Sequence, residues 1–143
     1  MKIKILSVGK LNEHFRELAE EYLARLQKYC RIETQEIKES NKMEEGKQLL
    51  DKIKDDEYAI ALERVGDATY SEDFAQFLKK KNMESNICFI LGGPDGLSGE
   101  VLKRCQKHLS LSNMTFPHQL ARVMMLEQIY RAFTIMKGEK YHK

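Results

Sequence analysis

Read from its N-terminus, the chain alternates short apolar runs with amphipathic stretches. Lys2 to Val8 alternates charged and aliphatic residues and predicts a first strand, closed by Gly9. Asn12 is placed as an N-cap. Behind it Phe15, Leu18, Ala19, Tyr22, Leu26 and Tyr29 recur at helical spacing and predict an amphipathic helix. Arg31 to Ile37 reads as a short strand, and Ser40 to Lys54 as a second helix with Leu49, Leu50 and Ile53 on its apolar side. Tyr58-Ala-Ile-Ala-Leu62 is a buried-strand run, followed by a loop at Gly66 and Asp67. Thr69 and Glu72 form a capping-box pattern for a helix carrying Phe74, Phe77 and Leu78. Ile87 to Leu91 predicts another buried strand, and Ser98 caps a short helix running to Cys105. Leu109 to Ser112 reads as a last strand, and Pro117 opens a long final helix to about Met136. Strands alternating with helices predict one α/β domain over 1–143, a mostly parallel sheet with helices on both faces.

Composition narrows the class. Of 143 residues, 42% are hydrophobic and 32% charged, a globular balance rather than a disordered one. The apolar runs are too short to cross a bilayer or to form a secretory leader, so the expected location is cytoplasmic, with no membrane partner. Cys30, Cys88 and Cys105 include no C-x-x-C pair and no histidine at ligand spacing, so neither a disulfide nor a zinc site is expected. The net charge of +2 shows no large polyanion-binding surface. From Asn113 onward, however, five basic residues (Arg122, Arg131, Lys137, Lys140, Lys143) stand against Glu127 and Glu139, a tilt that permits RNA contact.

Four stretches offer candidate chemistry. The loop Gly92-Gly93-Pro94-Asp95-Gly96 follows a predicted strand, and glycine there lets backbone approach a ligand closely. It is equally compatible with an ordinary strand-to-helix turn. The fingerprints G-x-G-x-x-G and G-K-[ST] are absent, which disfavours a nicotinamide or ATP enzyme. Leu109-Ser-Leu-Ser-Asn-Met-Thr-Phe-Pro-His118 brings hydroxyls from Ser112 and Thr115 beside an apolar wall of Met114 and Phe116, suited to a purine or a thioether; capping and packing explain it as well. The final helix is apolar almost all round and must be buried on more than one side, in the core or against another subunit. Glu127 and Arg131 sit there at ion-pairing spacing. The end of the chain, Gly138 to Lys143, holds Tyr141 and His142, although such a tail is ordinarily frayed.

Together these segments resemble one family along the whole chain, the RlmH-type (YbeA-type) methyltransferases of the SPOUT superfamily. Ile90-Leu-Gly-Gly-Pro-Asp-Gly-Leu-Ser98 resembles its glycine loop and Leu109 to His118 its cofactor loop. Glu127-Gln-Ile-Tyr-Arg131-Ala with Tyr141-His142-Lys143 resembles its C-terminal signature. The resemblance implies N3-methylation of a pseudouridine in large-subunit ribosomal RNA on assembled ribosomes. It also implies a homodimer, a C-terminal trefoil knot, and S-adenosylmethionine as methyl donor without a metal. It assigns cofactor contacts to Leu62, Gly93, Ser112, Asn113, Met114, Thr115, Phe116 and Pro117. It marks Glu127, Arg131, Tyr141 and His142 as target-side residues, with His142 the first candidate for the base. Glu63 stands where some relatives carry Asp, and Lys143 where Arg is common; lysine meets a phosphate only as a point charge. Two other readings remain: a non-catalytic RNA- or ribosome-binding factor on the same scaffold, and a methyltransferase of transfer RNA. Cofactor binding separates the first, and mapping the methylated atom the second.

Overall fold

The computed structural model describes residues 2–143. Five strands form a wholly parallel sheet in the order β2-β1-β4-β3-β5. They are β1 (Lys2–Val8), β2 (Arg31–Ile37), β3 (Glu57–Ala68), β4 (Asn86–Leu91) and β5 (Lys107–Ser110). Five helices alternate with them: α1 (Glu13–Leu26), α2 (Lys42–Lys52), α3 (Ser71–Glu84), α4 (Gly99–Arg104) and α5 (His118–Met136).

Strand periodicity divides the core in two, because alternate side chains leave opposite faces. Ile3 and Ile5 of β1 with Ile87, Phe89 and Leu91 of β4 pack under α1, α3 and α5. Leu6, Val8, Ala59, Ala61, Cys88 and Ile90 face the other way, under α2 and α4. Lys4 falls on this second face and is 1% exposed. Its Nζ donates to Glu57 at 2.8 Å and to the Lys52 carbonyl at 2.6 Å, which supplies the partners that a buried ammonium requires.

The predicted caps at Asn12 and Ser98 hold: their side chains accept from the amides of Phe15 (3.2 Å) and Val101 (3.3 Å). Several boundaries differ from expectation. The second helix runs over Lys42–Lys52 rather than Ser40 to Lys54, capped by Asn41, whose side chain accepts from Glu44 N at 2.9 Å. The Thr69 capping box does not form; Tyr70 occupies the N-cap with no side-chain bond, and Glu72 bonds elsewhere. The reason is that β3 runs through the expected loop as far as Ala68, moving the helix start forward. Gly66 makes this possible, since a Cβ there would lie 2.8 Å from the His108 carbonyl carbon. Leu109 stands opposite both Leu62 and Asp67, so residues 63–66 bulge out of the ladder. β5 also ends earlier than predicted, at Ser110, which leaves Ser112 in the following loop.

That loop decides the shape of the site. β5 lies at one edge of the sheet, yet α5 begins near β1. The Asn12 amide donates to Gln119 Oε1 at 2.7 Å, and Arg122, 5% exposed, donates to the carbonyls of Val8 (3.0 Å) and Gly9 (2.9 Å) and pairs with Glu36 at 2.6 Å. Residues 111–117 therefore cross the carboxyl ends of β3 and β4, about 14 Å at the ordinary strand spacing.

Candidate active site

The crossing encloses a cavity of about 720 Å³ at the carboxyl ends of β3, β4 and β5, in the size range of small-molecule sites. Its walls are the β3 bulge (Leu62, Glu63, Arg64), the glycine loop from Leu91 to Leu97, the crossing segment, and the first turn of α5 at His118 and Ala121. Ligands in parallel α/β sheets bind at this end.

The glycine loop packs too tightly to hold side chains. A Cβ on Gly92 would stand 2.7 Å from the Gly96 backbone, and one on Gly93 would stand 3.1 Å from Val8 Cγ1. Gly96 has φ +78°, where a side chain would be strained. Ser112 is committed to the shape of the crossing segment: its Oγ accepts from Met114 N at 3.0 Å, and its carbonyl accepts from Ser110 Oγ at 2.9 Å. Ser110 Oγ also lies 2.7 Å from the Arg64 carbonyl, and Arg64 reaches the Asn113 carbonyl at 3.3 Å. The β3 bulge and the crossing segment are thus tied across the cavity mouth.

Of the residues assigned to the cofactor, Leu62, Gly93, Ser112, Met114, Thr115, Phe116 and Pro117 line this cavity; Asn113 does not. The walls also include Gly92, Glu63, Arg64 and His118, which the assignment omitted. Gly92 was legible as part of the glycine run. Glu63 and Arg64 were not, because their position depends on the bulge.

The target-side residues gather elsewhere. Gly138, with φ +67°, ends α5 in a Schellman turn, its amide bonded to the Ile135 carbonyl (3.1 Å) and that of Glu139 to the Thr134 carbonyl (2.9 Å). The turn sends the tail back along α5, so the tail is docked and the expectation of a frayed end is corrected. Glu127 accepts from Arg131 NH2 (2.6 Å) and Nε (3.2 Å) and from the Tyr141 hydroxyl (2.7 Å). The Tyr141 ring sits edge-on to Tyr130 at 4.7 Å and under the Arg131 guanidinium at 4.9 Å. Burial, reinforced by the bond to Glu127, pushes the Tyr141 phenol well above its ordinary value. The bonds to Glu127 also hold Arg131 more firmly protonated than usual. His142 completes the cluster, with Nδ1 3.1 Å from Arg131 NH1 and Nε2 2.9 Å from Glu72 Oε1. Arg131 lies ten residues along α5 from Ala121 in the cavity wall, about 15 Å at 1.5 Å per residue. Within one subunit the two clusters are separate.

Among the described residues no helix is long and apolar enough to cross a membrane. Nor do three or more His, Cys, Asp or Glu residues gather there as a metal site. Cys88 is buried in β4, and burial pushes its thiol up to about 12.

Comparison with known proteins gives the relationship. Residues 1–142 match the family described as predicted SPOUT methyltransferase. The chain is 45% identical to a ribosomal RNA large subunit methyltransferase H of Clostridium kluyveri over 159 aligned positions, covering 100% of both chains. It is 46% identical to the protein of that name in Clostridium botulinum strain Okra, again over 100% of both. A solved structure, that of a probable methylase family protein from Haemophilus influenzae Rd KW20, shares the fold with a TM-score of 0.57 at 13% identity, over 99% of this chain and 70% of that one. The α/β architecture, the glycine loop and the matched length agree, and the chain belongs to the SPOUT methyltransferase family, in its RlmH group.

Proposed function

We propose that this protein transfers a methyl group from S-adenosylmethionine to N3 of a pseudouridine in large-subunit ribosomal RNA of the assembled ribosome, in the cytoplasm, as a homodimer with a knotted C-terminal region. One observation carries the reading: a cavity built by the glycine loop and the 111–117 crossing segment, in a chain whose full-length relatives are named as large-subunit ribosomal RNA methyltransferases.

The cavity residues fit the donor. Leu62, Leu91, Met114 and Phe116 offer an apolar wall for a purine and a thioether chain, and Gly92 and Gly93 let the glycine loop pack tightly against Gly96 and Val8 beside it. Glu63 and Asp95 supply negative charge to a cationic ligand. When bound, S-adenosylmethionine supplies an electrophilic methyl carbon on a sulfonium.

The acceptor presents the harder problem, because an imide N3 carries a proton at neutral pH. His142 takes that proton on Nδ1, the ring atom now covered by Arg131. Arg131, turned from His142, meets the developing negative charge of the base or a phosphate. Glu127 is not a second base: Arg131, Tyr141 and Gln128 already occupy its oxygens. Tyr141 anchors the tail through Glu127. The ~15 Å of α5 between Ala121 in the cavity wall and Arg131 beside His142 is why a dimer enters the reading: a two-fold pairing sets the tail of one subunit at the cavity of the other. Met114 in the cavity wall, with Val65 in the β3 bulge and Tyr70 before α3, 74%, 71% and 77% exposed, offers apolar surface for such a pairing.

The test is to incubate ribosomes with labelled S-adenosylmethionine and the protein, then map the product by mass spectrometry. The expected result is one methylated pseudouridine in large-subunit RNA, with the methyl on N3. Label in transfer RNA, or none at all, overturns the reading.

A further inference from the structure

The mechanism uses His142 but leaves unexplained what holds its ring. Arg131 NH1 can only donate, so His142 Nδ1, 3.1 Å away, must be the accepting nitrogen. The proton then sits on Nε2, which faces Glu72 Oε1 at 2.9 Å. The two contacts admit a single arrangement of the ring: neutral, with the proton on Nε2 and the lone pair on Nδ1.

Glu72 belongs to the first turn of α3, a helix of 14 residues. The positive end of the helix dipole favours a carboxylate there. Its neighbour Ser71 donates to Gln128 Oε1 at 2.8 Å, and Gln128 donates to Glu127 Oε1 at 3.2 Å, so the start of α3 is fixed to α5 beside the tail. A rigid element thus presents a carboxylate to one nitrogen of a histidine next to the docked Tyr141. The capping box, already undone by the extension of β3, leaves the Glu72 side chain free for this contact. Glu72 would reach back to its own helix start in such a box, and here it is turned to the tail instead.

We propose that Glu72 is a positioning residue for methyl transfer: it accepts a hydrogen bond from the His142 Nε2 proton, which holds the ring and its tautomer when Arg131 turns away and leaves the Nδ1 lone pair aimed at the substrate. The inference rests on the reading of His142 as the group that takes the N3 proton. Glu72 itself touches neither cofactor nor RNA. Its effect is moderate, because its side chain is 62% exposed and the contact is screened. Loss of an orienting partner of a functional histidine costs roughly 10-fold at such a site.

Two measurements test it on the full-length protein, comparing wild type with Glu72→Ala and Glu72→Gln. The first is ring nitrogen NMR of His142 at a pH where imidazoles are neutral, which reads the tautomer without any turnover. Wild type is expected to show the proton on Nε2. Because Arg131 still donates to Nδ1, Glu72→Ala is expected to keep the proton on Nε2 but to lose the hydrogen-bonded shift of that N–H, and Glu72→Gln, which keeps an accepting oxygen, to restore the wild-type signature. The second is turnover on ribosomes. Glu72→Ala is expected to lower kcat roughly 10-fold, leave KM and the affinity for S-adenosylmethionine unchanged, and be rescued by Glu72→Gln. An unchanged NMR signature in Glu72→Ala overturns the proposal. So does a changed signature with unchanged kcat, provided that His142→Ala is itself inactive. If His142→Ala is fully active, the assignment of the base has failed instead, and the NMR result alone decides whether Glu72 holds the ring.

Discussion

Single side chains in this protein act through what they displace as much as through what they touch. Gly93 shows this: a Cβ there meets Val8 Cγ1 at 3.1 Å, so a larger residue must push the strand or the cavity wall. Gly93→Val is expected to lower affinity for S-adenosylmethionine at least ~10-fold, and to cost ~1–3 kcal/mol of stability by overpacking. Calorimetric titration and a denaturant melt check the two effects separately. His142→Ala is expected to lower turnover by roughly 10²–10⁴-fold, with partial recovery at raised pH as the imide ionises unaided. A pH series on ribosomal substrate checks it. Tyrosines give a further pH signature. Burial and the bond to Glu139 push Tyr29 up to about 12, and Tyr141 is raised by burial and Glu127. A raised phenol stabilises the fold in full below its unfolded value near ~10, and that contribution is lost as pH rises through the folded value. The melting temperature is therefore expected to fall between roughly pH 10 and 12, and to fall less in the double variant Tyr29→Phe, Tyr141→Phe. Thermal melts across that range check it.

At the scale of elements, α5 and its flanks carry the organisation of the site. Arg122 fastens the first turns of α5 to the ends of β1 and β2, and residues 111–117 hang between this anchor and β5. Arg122→Ala leaves the Val8 and Gly9 carbonyls without this donor and is expected to cost ~1–3 kcal/mol, as a buried polar group left unsatisfied does. Weaker cofactor binding is expected with it, because His118 and Ala121 of the same turns line the cavity. Unfolding midpoints and titration in one buffer check both. The other end of α5 behaves differently. Deleting Tyr141-His142-Lys143 removes the edge-on contact with Tyr130, worth ~0.5–1.5 kcal/mol, so the melting temperature is expected to drop by a few degrees. Cofactor affinity is expected to survive, and methyl transfer to be lost. A truncated protein that still methylates ribosomes at the normal rate removes the tail from the mechanism.

For the whole molecule, the proposed pairing of one subunit's tail with the other's cavity makes assembly state a test of the mechanism. Light scattering at micromolar concentration is expected to give about twice the chain mass of 16.7 kDa. A subunit with the tail deleted, mixed with one carrying Gly93→Val, is expected to regain activity, since one hybrid pairing holds an intact cavity opposite an intact tail. Absence of that recovery counts against a shared site.

What the sequence determined by itself was everything that depends on local period and on short contiguous motifs. An apolar strand pattern marked β1, an unbroken apolar run β4, helical spacing α1 and a proline start followed by all-round apolar residues α5, and Asn12 and Ser98 announced their helices because a cap is satisfied within three residues. The glycine loop was legible for the same reason, as was the resemblance that pointed to a methyltransferase. Tertiary structure decided whatever requires a partner distant in the chain. Lys4 reads as a solvent-facing strand position, yet its charge is buried against Glu57. Glu63 and Arg64 enter the cavity wall only because β5 pairs on both sides of a bulge in β3. Glu72 reads as half of a capping box and is instead bound to the tail, 70 residues further on (142 − 72). The crossing of 111–117 over the strand ends, which makes the cavity, has no local signature at all. It exists because Arg122 finds the carbonyls of Val8 and Gly9 on the far side of the sheet, and no pattern along the chain records that meeting.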